Sequence, residues 1–346
     1  MRIIAALFST LPELKAATLT RHEENHMRYT TFMAAAAFLP VALTNAQAAQ
    51  TTFPDKPIRL VIGSAPGSGP DIISRALADR LYGAWGQRVV VDSRPGVAGI
   101  LSADLVLRAV PDGYTWMMLT SQLLVATSVY PNVKFNLGKD FSSVSLIGTV
   151  PFVLVVNAEL PAKSIRELIE LAKKTPLSYG SAGTGASEHL SGDLFTRMTG
   201  TKMLHVPYKG VAEALSATMG KEVQLTYGVV PAVMGAVQSG RVRALGVTGP
   251  KRNALLPDVP SIAEAVPGYQ TLGWYSIVAP VGTPEAVLAK ASAEIAKSVK
   301  DPQFADQLKG LGLDLVGSTR AELDAFRREQ TKQISDIVKS AGVTAK

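Results

Sequence analysis

At 346 residues the chain has room for two ordinary domains or one large one. Its 47% hydrophobic and 18% charged residues describe a soluble globular protein and exclude a disordered or coiled-coil one. The net charge of +7 (pI about 9.5) comes from dispersed basic residues rather than a run, which argues against a nucleic-acid partner, and zero cysteines exclude disulfides, thiol catalysis and cysteine metal sites.

The first 26 residues, "MRIIAALFSTLPELKAATLTRHEENH", fit no targeting pattern and read as a mis-called upstream segment, with Met27 as the start. From Met27, "MRYTTFMAAAAFLPVALTNAQAAQ" has a basic Arg28, a short apolar stretch to Leu43 and an A-x-A site at Ala46-Gln47-Ala48. This is the pattern of a secretory signal peptide over 27–48, and it is too short to span a membrane comfortably. Cleavage after Ala48 leaves 346 − 48 = 298 residues.

Two passes of similar elements follow. In the first, "IRLVIG" is a strand, "SAPGSGPD" a loop, and "IISRALADRLYGAWG" carries apolar residues at helical spacing. "QRVVVDSRPG" is a second strand, "AGILSADLVLRAV" a helix and "YTWMMLTSQ" a third strand. An apolar run, "SVSLIGTVPFVLVVNAEL", then reads as an extended link, and Ser164 with Glu167 has the spacing of a helix capping box.

The second pass starts at Leu177. "LSYGSAGTGASEHLSGDLF" begins as a strand, passes through Gly180, Gly183 and Gly185, and ends as a helix. "KMLHVPYKG", "VAEALSATMG" and "EVQLTYGVV" supply strand, helix and strand. Gly67 and Gly183 lie 183 − 67 = 116 positions apart, and Gly96 and Gly210 lie 210 − 96 = 114 apart, so the register is nearly kept. The expectation is two α/β lobes with mostly parallel sheets, 53–149 plus 251–346 and 150–250. "RVRALGVTGPKR" (Arg241–Arg252) is a candidate return link. The tail holds the strand "WYSIVAP" and two helices, with Thr283-Pro284 and Thr319/Glu322 as start signals.

Ligands of open α/β sheets sit beyond the carboxyl ends of the strands. Facing lobes bring six loops to one cleft: "SAPGSGPD", "SRPG", "TSQ", "GSAGTGAS", "PYKG" and "YGVV". These nominate Ser64, Ser68, Gly69, Gln122, Thr184, Ser187 and Gly228. Glycine lets backbone approach a ligand, and N–H groups at a helix start attract a negative group. Four or five charge-assisted hydrogen bonds of about 1.5–3 kcal/mol each, less ordering costs, are compatible with micromolar binding of a carboxylate.

Competing readings are open at several positions. Gly67-Ser68-Gly69 begins a dinucleotide fingerprint, but Ile72 stands where its last glycine belongs, and neither loop has the G-K-[S/T] of a P-loop. Ser68 and Asp71 have capping-box spacing, so Asp71 serves the helix, a ligand or both. His189 and His205 are too few for a zinc site. No metal, cofactor or catalytic residue is expected, although Ser187 with His189 leaves a hydrolase as a rival. Trp274 and Tyr275 read as lobe packing.

The segments "FPDKPIRLV", "APGSGPDIISRALADRL", "VVVDSRPGVAGILSADLV", "PDGYTWMMLTS", "SAGTGASEHLSGDLF", "HVPYKGVAEAL", "VRALGVTGPKR", "LPDVPSIAEAVPGY" and "VAPVGTPEAVLAK" occur in this order over nearly the whole mature chain. Together they resemble the Bug family, the periplasmic receptors of tripartite tricarboxylate transporters. The resemblance implies a two-lobed type II periplasmic-binding fold with two extended crossovers and a central cleft. It also implies a monomer that delivers a small organic carboxylate to membrane permease subunits; a sensory receptor with the same cleft is the alternative. It marks Pro66, Gly67, Asp71, Ser121, Ser181, Gly183, Gly185, His189 and the Tyr208-Lys209-Gly210 turn as ligand-binding. The chain departs from the family at Gly63-Ser64, Ser68, Gln122 and Gly228-Val229. The last departure removes an acid and implies a less polar carboxylate, aromatic or branched, rather than an amino acid.

Overall fold

The computed structural model describes residues 53–130 and 132–341. The signal-peptide and upstream-segment expectations lie outside the described residues.

Each pass of the repeat is longer by one helix than its sequence suggested. The first is β1 (Ile58–Ile62), α1 (Gly69–Trp85), β2 (Val89–Ser93), a 3-10 turn at Val97–Gly99, α2 (Ile100–Leu107), β3 (Thr115–Thr120) and α3 (Ser121–Val129). A short α4 (Leu137–Asp140), the long β4 (Phe141–Asn157) and α5 (Ile165–Lys174) connect it to the second. That pass is β5 (Leu177–Ser181), α6 (Ser187–Thr199), β6 (Met203–Pro207), α7 (Val211–Met219), β7 (Leu225–Val229) and α8 (Val230–Gln238). The remainder is β8 (Val242–Val247), β9 (Leu272–Pro280), α9 (Glu285–Val299), α10 (Pro302–Leu308), β10 (Asp314–Leu315) and α11 (Arg320–Ala341). Helices α3 and α8 went unread for different reasons: α3 is buried around most of its circumference and shows no helical stripe, whereas α8 buries Val230, Val233 and Ala236 on one side but carries apolar residues and glycine on its exposed side too.

The parallel order β2-β1-β3 of the first pass recurs as β6-β5-β7 in the second. One strand joins them. The first part of β4 pairs antiparallel with β9, from Phe141↔Pro280 to Pro151↔Leu272, and its second part pairs with β7 and β8, from Phe152↔Val229 to Asn157↔Val242. Seventeen extended residues span about 55 Å, enough to cross from one lobe to the other. All but Ser142 and Thr149 are buried, which explains why the run is apolar without alternation.

Elsewhere alternate side chains divide between the sheet faces. Leu60, Trp116 and Met118 pack under α1 and α9, whereas Val61, Met117 and Leu119 pack toward α3 and α11. In the second lobe Leu154 and Val156 join one core with Phe195 and Tyr227, and Val153 and Val155 another with Val230 and Val233. Each fully buried aliphatic residue contributes about 1.5–3 kcal/mol.

The return crossing differs from expectation. Residues Val242–Val247 of the candidate link form β8, a strand of the second lobe. Leu255, Leu256 and Val259 then pack beside Val153, and Ile262, Val266 and Tyr269 beside Phe152. The chain turns back only at Thr271, whose N–H donates to Thr248 O (3.1 Å) while its carbonyl accepts from Thr248 Oγ1 (2.6 Å). Buried apolar residues beyond Gly249-Pro250 hold the segment to the second lobe.

Helix starts follow their signals in part. Thr319 and Glu322 bond reciprocally. Ser164 caps Glu167 N–H, but the Glu167 carboxylate reaches past it to Lys163 N–H. Thr283 bonds Pro280 O, and α9 begins one residue later than expected, at Glu285. Trp274 is core, edge-on to Phe326.

Candidate functional site

The first-lobe loop leaves β1 and enters α1. Gly67 has φ +80° with open space about it, a conformation glycine adopts freely. The Ser68–Asp71 capping box does not form. Ser68 Oγ turns back to Ala65 O (2.6 Å), and Asp71 accepts instead from Gly67 N–H (2.9 Å) and from Arg75 Nε (3.0 Å) one helical turn on. Asp71 is buried, and the Arg75 guanidinium holds its carboxyl below the usual range, helped by Gly67 N–H and opposed by burial. Pro66 and Gly67 are exposed, and Gly69, the first residue of α1, faces the Tyr275 hydroxyl. A small hollow is lined by Ser64, Gln122, Thr120 and Ser102. Beside it Gly63 and Gly99 pack so closely that a Cβ on Gly63 would lie 2.6 Å from Gly99 Cα.

The second-lobe loop is built differently. Ser181 at the end of β5 is fully buried, with Oγ 2.6 Å from His205 Nε2 on neighbouring β6. Gly183 N–H donates to the same oxygen (3.1 Å), and Gly185 N–H donates to His189 Nδ1 (3.0 Å). The rings of His189 and His205 stack at 3.7 Å, with Tyr179 beside them. Gly183 (φ +121°) and Gly185 (φ +80°) supply backbone angles that other residues resist. Burial lowers His189, and burial with the neighbouring imidazole pushes His205 down to about 4, so both are neutral at pH 7. Because Nδ1 of His189 accepts, its proton is assigned to Nε2, which has no partner among the described residues.

The two lobes meet where α3 and α6 begin. Ser121, first residue of α3, and Ser187, first residue of α6, line one cavity of about 30 Å³ with Phe152, Thr271, Gln330 and Gln333. Gly185 lies against Val129, and Leu190 joins the first-lobe core. Neither this cavity nor the Ser64 hollow is lined by Gly67, Ser68 or Asp71.

Residues 73–343 match the model of the tripartite tricarboxylate transporter family receptor. The chain belongs to that family. It is 38% identical over 290 residues to a UPF0065 protein in the tcbD-tcbE intergenic region of Pseudomonas sp. strain P51, covering 83% of this chain and 86% of that one. Among solved structures it resembles the periplasmic binding protein BugD (31% identity, TM-score 0.69, 85% and 100% covered). It also resembles R. palustris Rpa4515 with adipate (32% identity, TM-score 0.72, 84% and 99% covered). The receptor therefore has the two-lobed periplasmic-binding fold.

Within this receptor the remaining nominated residues are dispersed. Thr184 is exposed at the loop tip. Tyr208 packs its ring over Gly180 and donates its N–H to Ser181 O (3.0 Å), while Lys209 is exposed with its N–H on Glu213. Gly228 is buried in β7, where a Cβ would meet Val233 and Val211. Ser187 makes no bond to His189, whose Nδ1 is occupied by Gly185. Sequence reasoning missed the cavity residues Phe152, Thr271, Gln330 and Gln333, which come from the crossings and α11 and carry no motif. The reading of His205 as a hydrogen-bonded strand residue holds, on β6 with its ring on Ser181 Oγ, although the partner 24 residues away was not named.

Proposed function

We propose that this family member is a periplasmic receptor that captures a small organic carboxylate between its lobes and passes it unchanged, as a monomer, to membrane permease subunits. The observation that carries this is the convergence of Ser121 and Ser187 on one cavity. Two helix starts of 9 and 13 residues, one per lobe, direct N–H groups and hydroxyls to a shared point. The cavity has room for water rather than an organic acid, so capture requires the lobes to part along this junction. The divisions lie near Pro151–Phe152 and Thr271–Leu272, where β4 changes partners and β9 begins. The adipate held by the Rhodopseudomonas relative supports a carboxylate.

Chemical conversion is not part of this reading. Ser181 is sealed and shares its hydroxyl with Gly183 and His205, which leaves no exposed nucleophile there. Export by the 27–48 signal completes it, and a mature mass beginning after Ala48 is expected from periplasmic extracts.

A thermal-shift screen tests the function. Adipate, benzoate and branched acids at a hundred times Kd should stabilise by about 2.7 kcal/mol, raising Tm by several degrees. Aspartate and glutamate should do less, because β7 ends in Gly228-Val229 with no acid to hold an ammonium group. Stabilisation by amino acids alone, or by none of these, defeats the reading.

A further inference from the structure

A cavity of about 610 Å³ opens on the first lobe between α3, α11 and the segment leading into α4, and it takes no part in the lobe junction. The same two helices border both places with different sides. On α3, Ser121 and Val125 line the junction, whereas Leu124, Thr127 and Ser128 line this cavity. On α11, Gln330, Gln333 and Ile334 line the junction, whereas Arg327, Arg328, Thr331 and Lys332 line the cavity. No residue is shared.

Charge in the cavity is unbalanced. Arg327, Arg328 and Lys332 stand against a single carboxylate, Asp324. Arg327 is only 6% exposed, and its guanidinium donates to neutral acceptors alone: the Leu137 carbonyl, the Phe141 carbonyl (3.2 Å) and the Ser143 hydroxyl (2.7 Å). Asp324 stays 3.9 Å from it, beyond hydrogen-bond reach, and is half exposed. Neutral acceptors satisfy the N–H groups but leave the charge uncancelled, and a buried cation without a close anion is costly. Arg328 has no hydrogen bond or ion pair among the described residues, and Lys332 holds an exposed pair with Asp336 (3.1 Å). The hydroxyls of Thr127, Ser128 and Thr331 are spent on helix carbonyls, whereas that of Ser335 has no partner among the described residues. Leu124, Leu137 and Phe135 add an apolar wall to this basic one.

We propose that the cavity is a second binding site, for a small organic dianion whose acid groups meet Arg328 and Lys332 over the buried charge of Arg327 and whose carbon body rests on Leu124 and Phe135. Its size suits that class, since small-molecule pockets run to roughly 300–1,000 Å³. A guanidinium with free N–H groups, such as Arg328, takes a carboxylate through two parallel hydrogen bonds. The site is independent of capture at the junction, and it stands whichever ligand the junction takes.

The test is a titration of the isotope-labelled receptor followed by amide resonances. Gly138, Thr331 and Ser335 report on the cavity and Ser187 on the junction. The probes are adipate, inorganic phosphate and uncharged hexanediol. Adipate should saturate the cavity signals, phosphate should bind there several-fold more weakly for want of a carbon body, and hexanediol should leave them unmoved. The Arg328→Ser and Lys332→Ser double variant should weaken adipate about tenfold at the cavity while leaving any response of Ser187 unchanged. Cavity signals that never saturate, an equal response to phosphate or hexanediol, or undiminished affinity in the double variant overturns the proposal. A response at Ser187 alone also overturns it, while supporting the receptor function. The comparison of three probes on the wild type decides the matter by itself where the variant fails to fold.

Discussion

The two glycine loops occupy equivalent places in a repeated β–loop–α unit and are locked by opposite means. The Gly67 loop is open to solvent and held by charge, through Asp71 between Gly67 N–H and Arg75. The Gly183 loop is held by neutral stacked imidazoles, with His205 on Ser181 and His189 on Gly185. Equivalent topology therefore does not imply equivalent chemistry: the first lock needs ionised partners, and the second fails if its partners ionise.

The largest expected effect tests the packing under the second loop. Gly192→Ala places a Cβ 2.2 Å from the Tyr179 ring, against the wall that seats both histidines. Overpacking of this kind costs about 1–3 kcal/mol, and the upper end is expected here in a urea titration. A negligible loss would show that the wall yields.

Acid should separate the loops next. A histidine whose folded value lies below its unfolded one binds fewer protons when native, so stability is full above pH 6.5 and is lost as pH falls toward about 4. For the half-buried His205 the loss is on the order of 2 kcal/mol. His205→Asn should flatten the pH dependence of Tm in that window, and an unchanged slope would remove the neutral-imidazole lock.

The first loop should give the smallest response, in a lower window. Asp71 has a depressed folded value, so its contribution is present above the unfolded value of 3.8 and is lost as pH falls through the folded one. Asp71→Asn keeps an acceptor for Gly67 but loses the Arg75 pairing. A cost of about 1 kcal/mol at pH 7 that shrinks as pH falls below 3.8 is the expectation, read from denaturant midpoints.

Much of this was legible in the residues. The strands "IRLVIG", "YTWMMLT" and "LSYGS" stand where they were read, because β-branched and aromatic runs bounded by glycine leave few alternatives. The β4 crossing was visible as an apolar run. The 3.6-residue period failed at α3, which is buried nearly all round, and at α8, whose exposed side is apolar too; the return crossing was misplaced because Gly249-Pro250 looks like a stop while the apolar residues holding 255–269 look like any loop.

The amino-acid order alone determined the two-pass α/β plan, the glycine loops and the absence of thiol chemistry, since local propensity and residue type decide these. Only the tertiary structure decided which polar groups lie beside one another: Ser181 with His205, and Ser121 with Ser187. Those pairings span strands and lobes, and burial sets their protonation. Neither distance in space nor exclusion of water is written in any short stretch of chain.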